Sequence, residues 1–190
     1  MTKIIDEFST ISRISPIKDV DGLTPYNAGL LASGRAILKP CTPLGIMELF
    51  DYYNIELSGK NVVIINRSNL VGKPLYHLML ERDATVTTCH SKTKNLAEQC
   101  LGADIVITAV GNRAHFTLTD SMIREGAVVI DVGTSRVNGK LAGDADYDGI
   151  IKKASYATPV PGGVGPMTRA MLLRNTVTAA SISKGFVTNR

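Results

Sequence analysis

Asn61-Val-Val-Ile-Ile65, running directly into Asn66-Arg-Ser-Asn-Leu-Val-Gly72 and Lys73-Pro74, decides the fold. Four β-branched residues in succession, Val62 to Ile65, are too short a run for a buried helix. They read as a strand covered on both faces, as in a parallel sheet. The loop that follows leads into Leu75, Leu78 and Met79, apolar at helical spacing, in a helix opening at Pro74. Strand, tight loop and helix form the context in which a helix N-terminus takes a dinucleotide pyrophosphate. The common Gly-x-Gly-x-x-Gly fingerprint is absent, and Gly72 alone is placed to serve as its close-packing glycine.

The same alternation extends in both directions. Upstream, Thr42-Pro43 supply an N-cap and a proline at the first helical position, followed by Ile46, Leu49, Phe50 and Tyr53 at helical spacing. Leu57 to Lys60 breaks that helix. Downstream, the pattern predicts a strand over 84–88 and a helix over 95–102, with Asn95 as cap and Glu98 three residues on. Further strands are expected over 104–110 and 127–132, with a short helix over 119–123 between them and helices over 146–153 and from Pro166 to about Ser183. Residues 1–39 are mixed and turn-rich. The fold class is therefore α/β, a Rossmann-like doubly wound parallel sheet. Its ligand loops gather beyond the strand C-termini, at 66–72, 89–93, 110–115, 132–136 and 158–166.

A chain of 190 residues with 44% hydrophobic and 20% charged residues is of globular composition and long enough to bury a core. Its formal charge is +4 without a block of five like charges, and aromatics are 5% with no Trp, so a nucleic-acid face is weakly supported. The mild positive balance suits a small polyanion such as a dinucleotide phosphate. Cys41, Cys89 and Cys100 form neither an even set nor a Cys-x-x-Cys pair, which implies a reducing, cytoplasmic compartment and no metal site. His77, His90 and His115 are too scattered for zinc. Neither a leader's apolar region nor a membrane-length apolar run is evident.

Thr158-Pro-Val-Pro-Gly-Gly-Val-Gly-Pro166 carries three prolines and three glycines in nine residues. Such a loop cannot be helix or central strand, and it exposes its backbone to a flat or anionic ligand at the start of the last helix. Lys18-Asp-Val-Asp-Gly22 and Pro40-Cys-Thr-Pro43 are equally unusual. With Arg67-Ser68, Val71-Gly-Lys-Pro74, Cys89-His-Ser91, Ile130-Asp-Val-Gly133, Gly143-Asp144 and Pro159 to Thr168, these blocks resemble the bifunctional methylenetetrahydrofolate dehydrogenase/methenyltetrahydrofolate cyclohydrolase family, in the family's order, from about residue 14 to 180.

The resemblance implies NADP-dependent oxidation of 5,10-methylenetetrahydrofolate and hydrolysis of the methenyl product to 10-formyltetrahydrofolate. Asp21, Pro161, Gly162, Gly163 and Val164 are the implied folate-side residues. Asn66, Arg67, Ser68, Val71, Gly72, His90, Ser91 and Thr134 are the implied cofactor-side residues. Asn66 stands where the family has glycine; Asn tolerates the left-handed region, so the turn is expected to survive and Asn66→Gly to be neutral or beneficial. The end of the second strand, Cys89 to Thr93, lacks the carboxylate that would bond an NAD ribose, and Ser91, Lys92 and Arg67 can donate to a 2′-phosphate instead. Asp131 and Asp144 look like a carboxylate pair, but Asp131 ends a buried-type strand and is expected to fix local backbone amides.

The family's catalytic lysine and its tyrosine neighbour belong to an N-terminal domain, and neither Lys18 nor Lys60 stands in that motif, so no catalytic residue is identified. Residues 1–39 then read as the end of that domain, 40–165 as the NADP-binding domain, and 166–190 as a final helix belonging to or packing on the second domain. A homodimer is the expected assembly. Three readings stay open: the cofactor half of the enzyme, an NADP-binding module working with a partner, and a non-enzymatic remnant.

Overall fold

The structure, a computed structural model, describes residues 5–186. Its centre is a five-stranded sheet of β1 (Asn61–Ile65), β2 (Thr85–Cys89), β3 (Ile105–Thr108), β4 (Val128–Asp131) and β7 (Tyr156–Ala157), in the order β2-β1-β3-β4-β7. Every pairing is parallel. The chain leaves β1 towards one edge and returns past it to β3, so the winding reverses between β1 and β3. That point is where a doubly wound sheet opens a crevice.

Side-chain alternation along the strands builds two cores. Val62, Ile64, Ile105, Ile107 and Ile130 face α3 (Cys41–Tyr52) and α4 (Gly72–Leu80), burying Ile46, Phe50, Leu75 and Met79 completely. Val63, Ile65, Val106 and Val129 face the opposite layer, α5 (Leu96–Leu101), a 3-10 turn at Asp120–Met122, and α6 (Tyr147–Ile150), with Cys100, Leu118, Ile123 and Ile150. Each such apolar side chain contributes about 1.5–3 kcal/mol on burial. β2 lies at an edge, and the exposure of Thr85, Thr87 and Thr88 follows from having no strand beyond it among the described residues.

The N-terminal residues form α1 (Glu7–Ile11), a 3-10 turn at Pro16–Lys18 and α2 (Pro25–Ala32). The last helix, α7 (Val164–Ser183), packs along α3. The Asn175 amide at its centre is buried and donates to the carbonyls of Val20 at 2.7 Å and Lys39 at 2.8 Å. The final helix is thereby fastened to the segment that carries the Lys18 to Gly22 block.

Several local expectations are corrected. α3 starts at Cys41 with Pro40 as cap, and Thr42 does not cap it; the Thr42 hydroxyl meets that of Thr168 at 2.9 Å instead. α4 starts at Gly72, two residues before Pro74. Asn95 does precede α5, but with φ 53° and no side-chain cap bond. The helix over 146–153 is a single turn, Tyr147–Ile150, and the helix over 119–123 is the 3-10 turn. A hairpin of β5 (Ser135–Val137) and β6 (Lys140–Ala142) was missed. Its signal was present: Asn138-Gly139 has φ 50° and 76°, as a two-residue primed hairpin turn demands.

Candidate functional site

Five parallel strands end on one side, and their loops form the candidate site. After β4 and β7 lies a cleft of about 550 Å³, lined by Asp131 to Thr134, by Pro159 to Pro166, and by Thr42, Leu141, Thr168 and Arg169. The expected folate-side residues Pro161, Gly162, Gly163 and Val164 line it, as does Thr134. Gly163 cannot be replaced without cost, because a β-carbon would come within 2.5 Å of the Pro159 carbonyl. Gly162, by contrast, has φ 105° and open space around it, so the loop turns there with its backbone bare to the cleft.

Asp21 is exposed, does not line this cleft, and lies beside the Cys41 thiol. That thiol is pushed up to about 12 by burial, with the Asp21 carboxylate adding to it. The carboxylate that organises the same block is Asp19. It is buried and accepts from the Leu23 amide at 3.1 Å, the Thr24 amide at 2.8 Å and the Asn27 side chain at 2.8 Å. Burial raises its pKa, but these bonds outweigh burial and hold it below the usual value of 3.8. Sequence reasoning missed Asp19, since nothing in Asp-Val-Asp tells which carboxylate turns inward.

Two further buried carboxylates shape the loops. Asp131 accepts from the amides of Gly133 (2.9 Å), Asp144 (3.0 Å) and Ala145 (2.8 Å). Burial still pushes its pKa up, and the nearby Asp144 adds to that. Asp144 accepts from the Thr108 hydroxyl at 2.8 Å and from the amides of Val110 at 2.6 Å and Gly111 at 2.9 Å. The two thus tie the turns after β3 and β4 to the strand leading out of the hairpin. Arg113 adds to this by donating to the Gly143 and Ala145 carbonyls. This is the amide-fixing role expected of Asp131.

The loop after β1 is closed on itself. The Asn66 carboxamide oxygen accepts from the Ser68 amide (2.8 Å), the Ser68 hydroxyl (2.7 Å) and the Gly72 amide (2.9 Å). Its nitrogen donates to the Ala109 carbonyl, 2.6 Å away on the loop after β3. The Val71 amide is taken by the Ser68 hydroxyl at 3.1 Å and the Lys73 amide by the Ser68 carbonyl at 3.0 Å. Pro74 has no N–H. The amides at the start of α4 are therefore used internally in this structure. Asn66 also lies outside the left-handed region, so the reason given for tolerating it there does not apply. Gly72 is indispensable for closure: a β-carbon would overlap the Asn66 carbonyl.

β1 and β2 pair Ile65 with Cys89, so Arg67 and Ser91 each stand two residues past the same sheet level. Both are exposed, as is Lys92. The His90 Nδ1 accepts from the Lys92 amide at 3.1 Å, and the His90 amide donates to the Thr93 hydroxyl at 2.9 Å. No carboxylate stands among residues 89–93. The cofactor-side candidates around β1 and β2 and the folate-side candidates around β7 share one edge of the sheet but not one cavity: none of Asn66, Arg67, His90 and Ser91 lines the 550 Å³ cleft.

Residues 40–184 match the family described as tetrahydrofolate dehydrogenase/cyclohydrolase, NAD(P)-binding domain. The chain is 72% identical over 179 residues to the bifunctional protein FolD of Nitrosopumilus maritimus (strain SCM1), a match covering 94% of this chain and 62% of the relative. Among solved structures, it is similar to the bifunctional 5,10-methylenetetrahydrofolate dehydrogenase/cyclohydrolase of Thermoplasma acidophilum, with a TM-score of 0.90 at 41% identity, covering 97% of this chain and 66% of that one. It is likewise similar to the Trypanosoma brucei dehydrogenase-cyclohydrolase complexed with NADP cofactor and inhibitor, with a TM-score of 0.87 at 40% identity, covering 95% of this chain and 64% of that one. The chain thus spans a little under two thirds of the length of these relatives.

Proposed function

The chain belongs to the tetrahydrofolate dehydrogenase/cyclohydrolase family, and on that premise we propose that it supplies the NADP site and one wall of the folate cleft of a bifunctional enzyme of one-carbon metabolism. The observation that carries the cofactor choice is the paired end of β1 and β2. Arg67, Ser91 and Lys92 offer donors there with no carboxylate to repel a 2′-phosphate. This donor set fits NADP, which when bound accepts hydride at its nicotinamide ring.

In this reading the one-carbon bridge of 5,10-methylenetetrahydrofolate loses hydride and becomes the methenyl cation. Water then adds to that cation, a proton leaves, and the ring opens to 10-formyltetrahydrofolate. The residues of this chain bind and orient. The bare backbone at Gly162 would let a flat ring lie against the cleft loop, which the close packing of Gly163 on Pro159 holds in shape. Asp21 is assigned to the aminopyrimidine edge, where a carboxylate accepts paired hydrogen bonds. Thr134 borders the cleft on its β4 side, and Asn66, Ser68, Val71, Gly72 and His90 form the loops that present Arg67 and Ser91. The general acid–base group is assigned to the part of the relatives that this chain does not match. Residues 1–39 are read as the end of that catalytic domain, 40–165 as the NADP-binding domain and 166–190 as a segment returning towards the former; residues 1–4 and 187–190 of these ranges lie outside the described residues.

The product feeds reactions that consume a formyl group, of which purine biosynthesis is the proposed one. Cys41, Cys89 and Cys100 are all free and buried, in keeping with a reducing, cytoplasmic setting. Leu173 and Val177 on α7 are 70% and 68% exposed, and a homodimer partner or the catalytic domain is proposed to cover them. A second reading is an NADP-binding module without turnover of its own. Adding the corresponding N-terminal domain of a relative to this chain separates the two. Restored oxidation of methylenetetrahydrofolate supports the enzyme, whereas NADP binding without turnover supports the module.

A further inference from the structure

We infer that Asn66 is a specificity-positioning residue: its carboxamide sets the loop that carries Arg67, and thereby the preference for NADP over NAD. The inference rests on the NADP reading above. Asn66 makes four hydrogen bonds with one side chain, three accepted and one donated. The accepted bonds come from both ends of a seven-residue loop, Ser68 near its start and Gly72 at its end. The donated bond crosses from β1 to the Ala109 carbonyl beyond β3, spanning the point where the winding of the sheet reverses. Arg67 sits between the Asn66 carboxamide and Ser68, yet its own guanidinium has no partner among the described residues and is exposed. Its backbone is thus fixed while its side chain is left for a ligand.

A glycine at this position would turn the chain but would hold none of these groups. The Ser68 and Gly72 amides would lose their acceptor and the link to Ala109 would go, leaving only the bonds from Ser68 to Val71 and Lys73, so part of the loop's ordering would be deferred until a ligand arrives. The ordering cost falls on whatever contact Arg67 makes, and that contact is with the phosphate that NADP has and NAD lacks. The Val71 and Lys73 amides at the start of α4 cannot compensate, because the Ser68 hydroxyl and carbonyl hold them with or without the Asn66 side chain.

The test is a double-mutant cycle on the full 190-residue chain: wild type, Asn66→Gly, Arg67→Ala and the double variant, each titrated with NADP and with NAD. Far-UV circular dichroism and thermal melting confirm that each variant is folded, and Asn66→Ser serves as a second, milder variant. The expected result is an NADP affinity about tenfold weaker in Asn66→Gly, with NAD affinity changed much less, so that the preference ratio falls. In the Arg67→Ala background, Asn66→Gly is expected to leave that ratio unchanged. Equal losses for both cofactors, no loss, or an undiminished effect without Arg67 would each overturn the inference. Failure of the wild type to bind NADP at all would instead overturn the functional reading beneath it.

Discussion

Gly133 and Asp144 fit so closely that a β-carbon on the glycine would occupy the volume of the Asp144 carboxylate. Gly143 stands in the same relation to Asp131. Each carboxylate collects amides from the loops and is packed against the bare Cα of a glycine beside the other. The cleft after β4 therefore has a floor that tolerates no added atom.

Gly133→Ala and Gly143→Ala are accordingly expected to destabilise the chain by about 2–3 kcal/mol each, as overpacking of a buried polar network does. Gly29 provides the contrast. It lies in α2, with no neighbour within 4 Å of an added β-carbon, so Gly29→Ala should stabilise by about 0.5–1 kcal/mol. Urea midpoints of the three variants check this. Tolerance of alanine at both 133 and 143 would show that the two carboxylates do not define the floor.

Asp19 makes acid stability of the N-terminal segment predictable. Its pKa in the fold lies below the ordinary 3.8. Above 3.8 it is ionised in both folded and unfolded chains, and its bonds stabilise the fold in full. As pH falls through and below 3.8 the unfolded chain takes up the proton first, and that stabilisation is lost. Asp19→Asn should be less stable than wild type by about 1–3 kcal/mol at pH 7, with the gap narrowing as pH is lowered from 5 towards 3. A gap that stays constant with pH would contradict the assigned hydrogen bonds.

The three thiols are expected to be inert in the folded chain. Burial pushes Cys41 and Cys100 up to about 12 and raises Cys89 as well. A thiol reagent at pH 8 should label none of them quickly in native protein and all three after denaturation. Rapid native labelling of Cys41 would mean that the packing around the thiol beside Asp21 opens to solvent.

The parallel sheet was legible because buried strands announce themselves: Val62 to Ile65, Ile105 to Ile107 and Val128 to Ile130 are apolar on both faces. The cleft loop was legible because prolines and glycines of that density allow nothing else. Helix starts were less so. Thr42 had the chemistry of a cap, yet its hydroxyl is turned to Thr168, a partner 126 residues away that no local rule foresees. Asn66 misled in the opposite direction. Read locally it was a glycine substitute, whereas its partners Gly72 and Ala109 come together only once β1 and β3 are adjacent.

Arg67→Ala isolates the charge. Losing one charge-assisted contact to a phosphate should weaken NADP binding by about 1.5–3 kcal/mol and leave NAD binding nearly unchanged. Calorimetric titration at low and moderate salt checks it, and the difference between wild type and variant should shrink as salt rises. Equal NADP affinity in the two proteins would remove Arg67 from the site.

The central claim is that the edge formed by β1 and β2 selects NADP. Its most direct test is calorimetric titration of the 190-residue chain with NADP and with NAD under one set of conditions. Saturable binding of NADP, at least about tenfold tighter than NAD, is the predicted result, since one charge-assisted contact accounts for that ratio. Equal affinities, tighter NAD, or no binding of either cofactor would contradict the account.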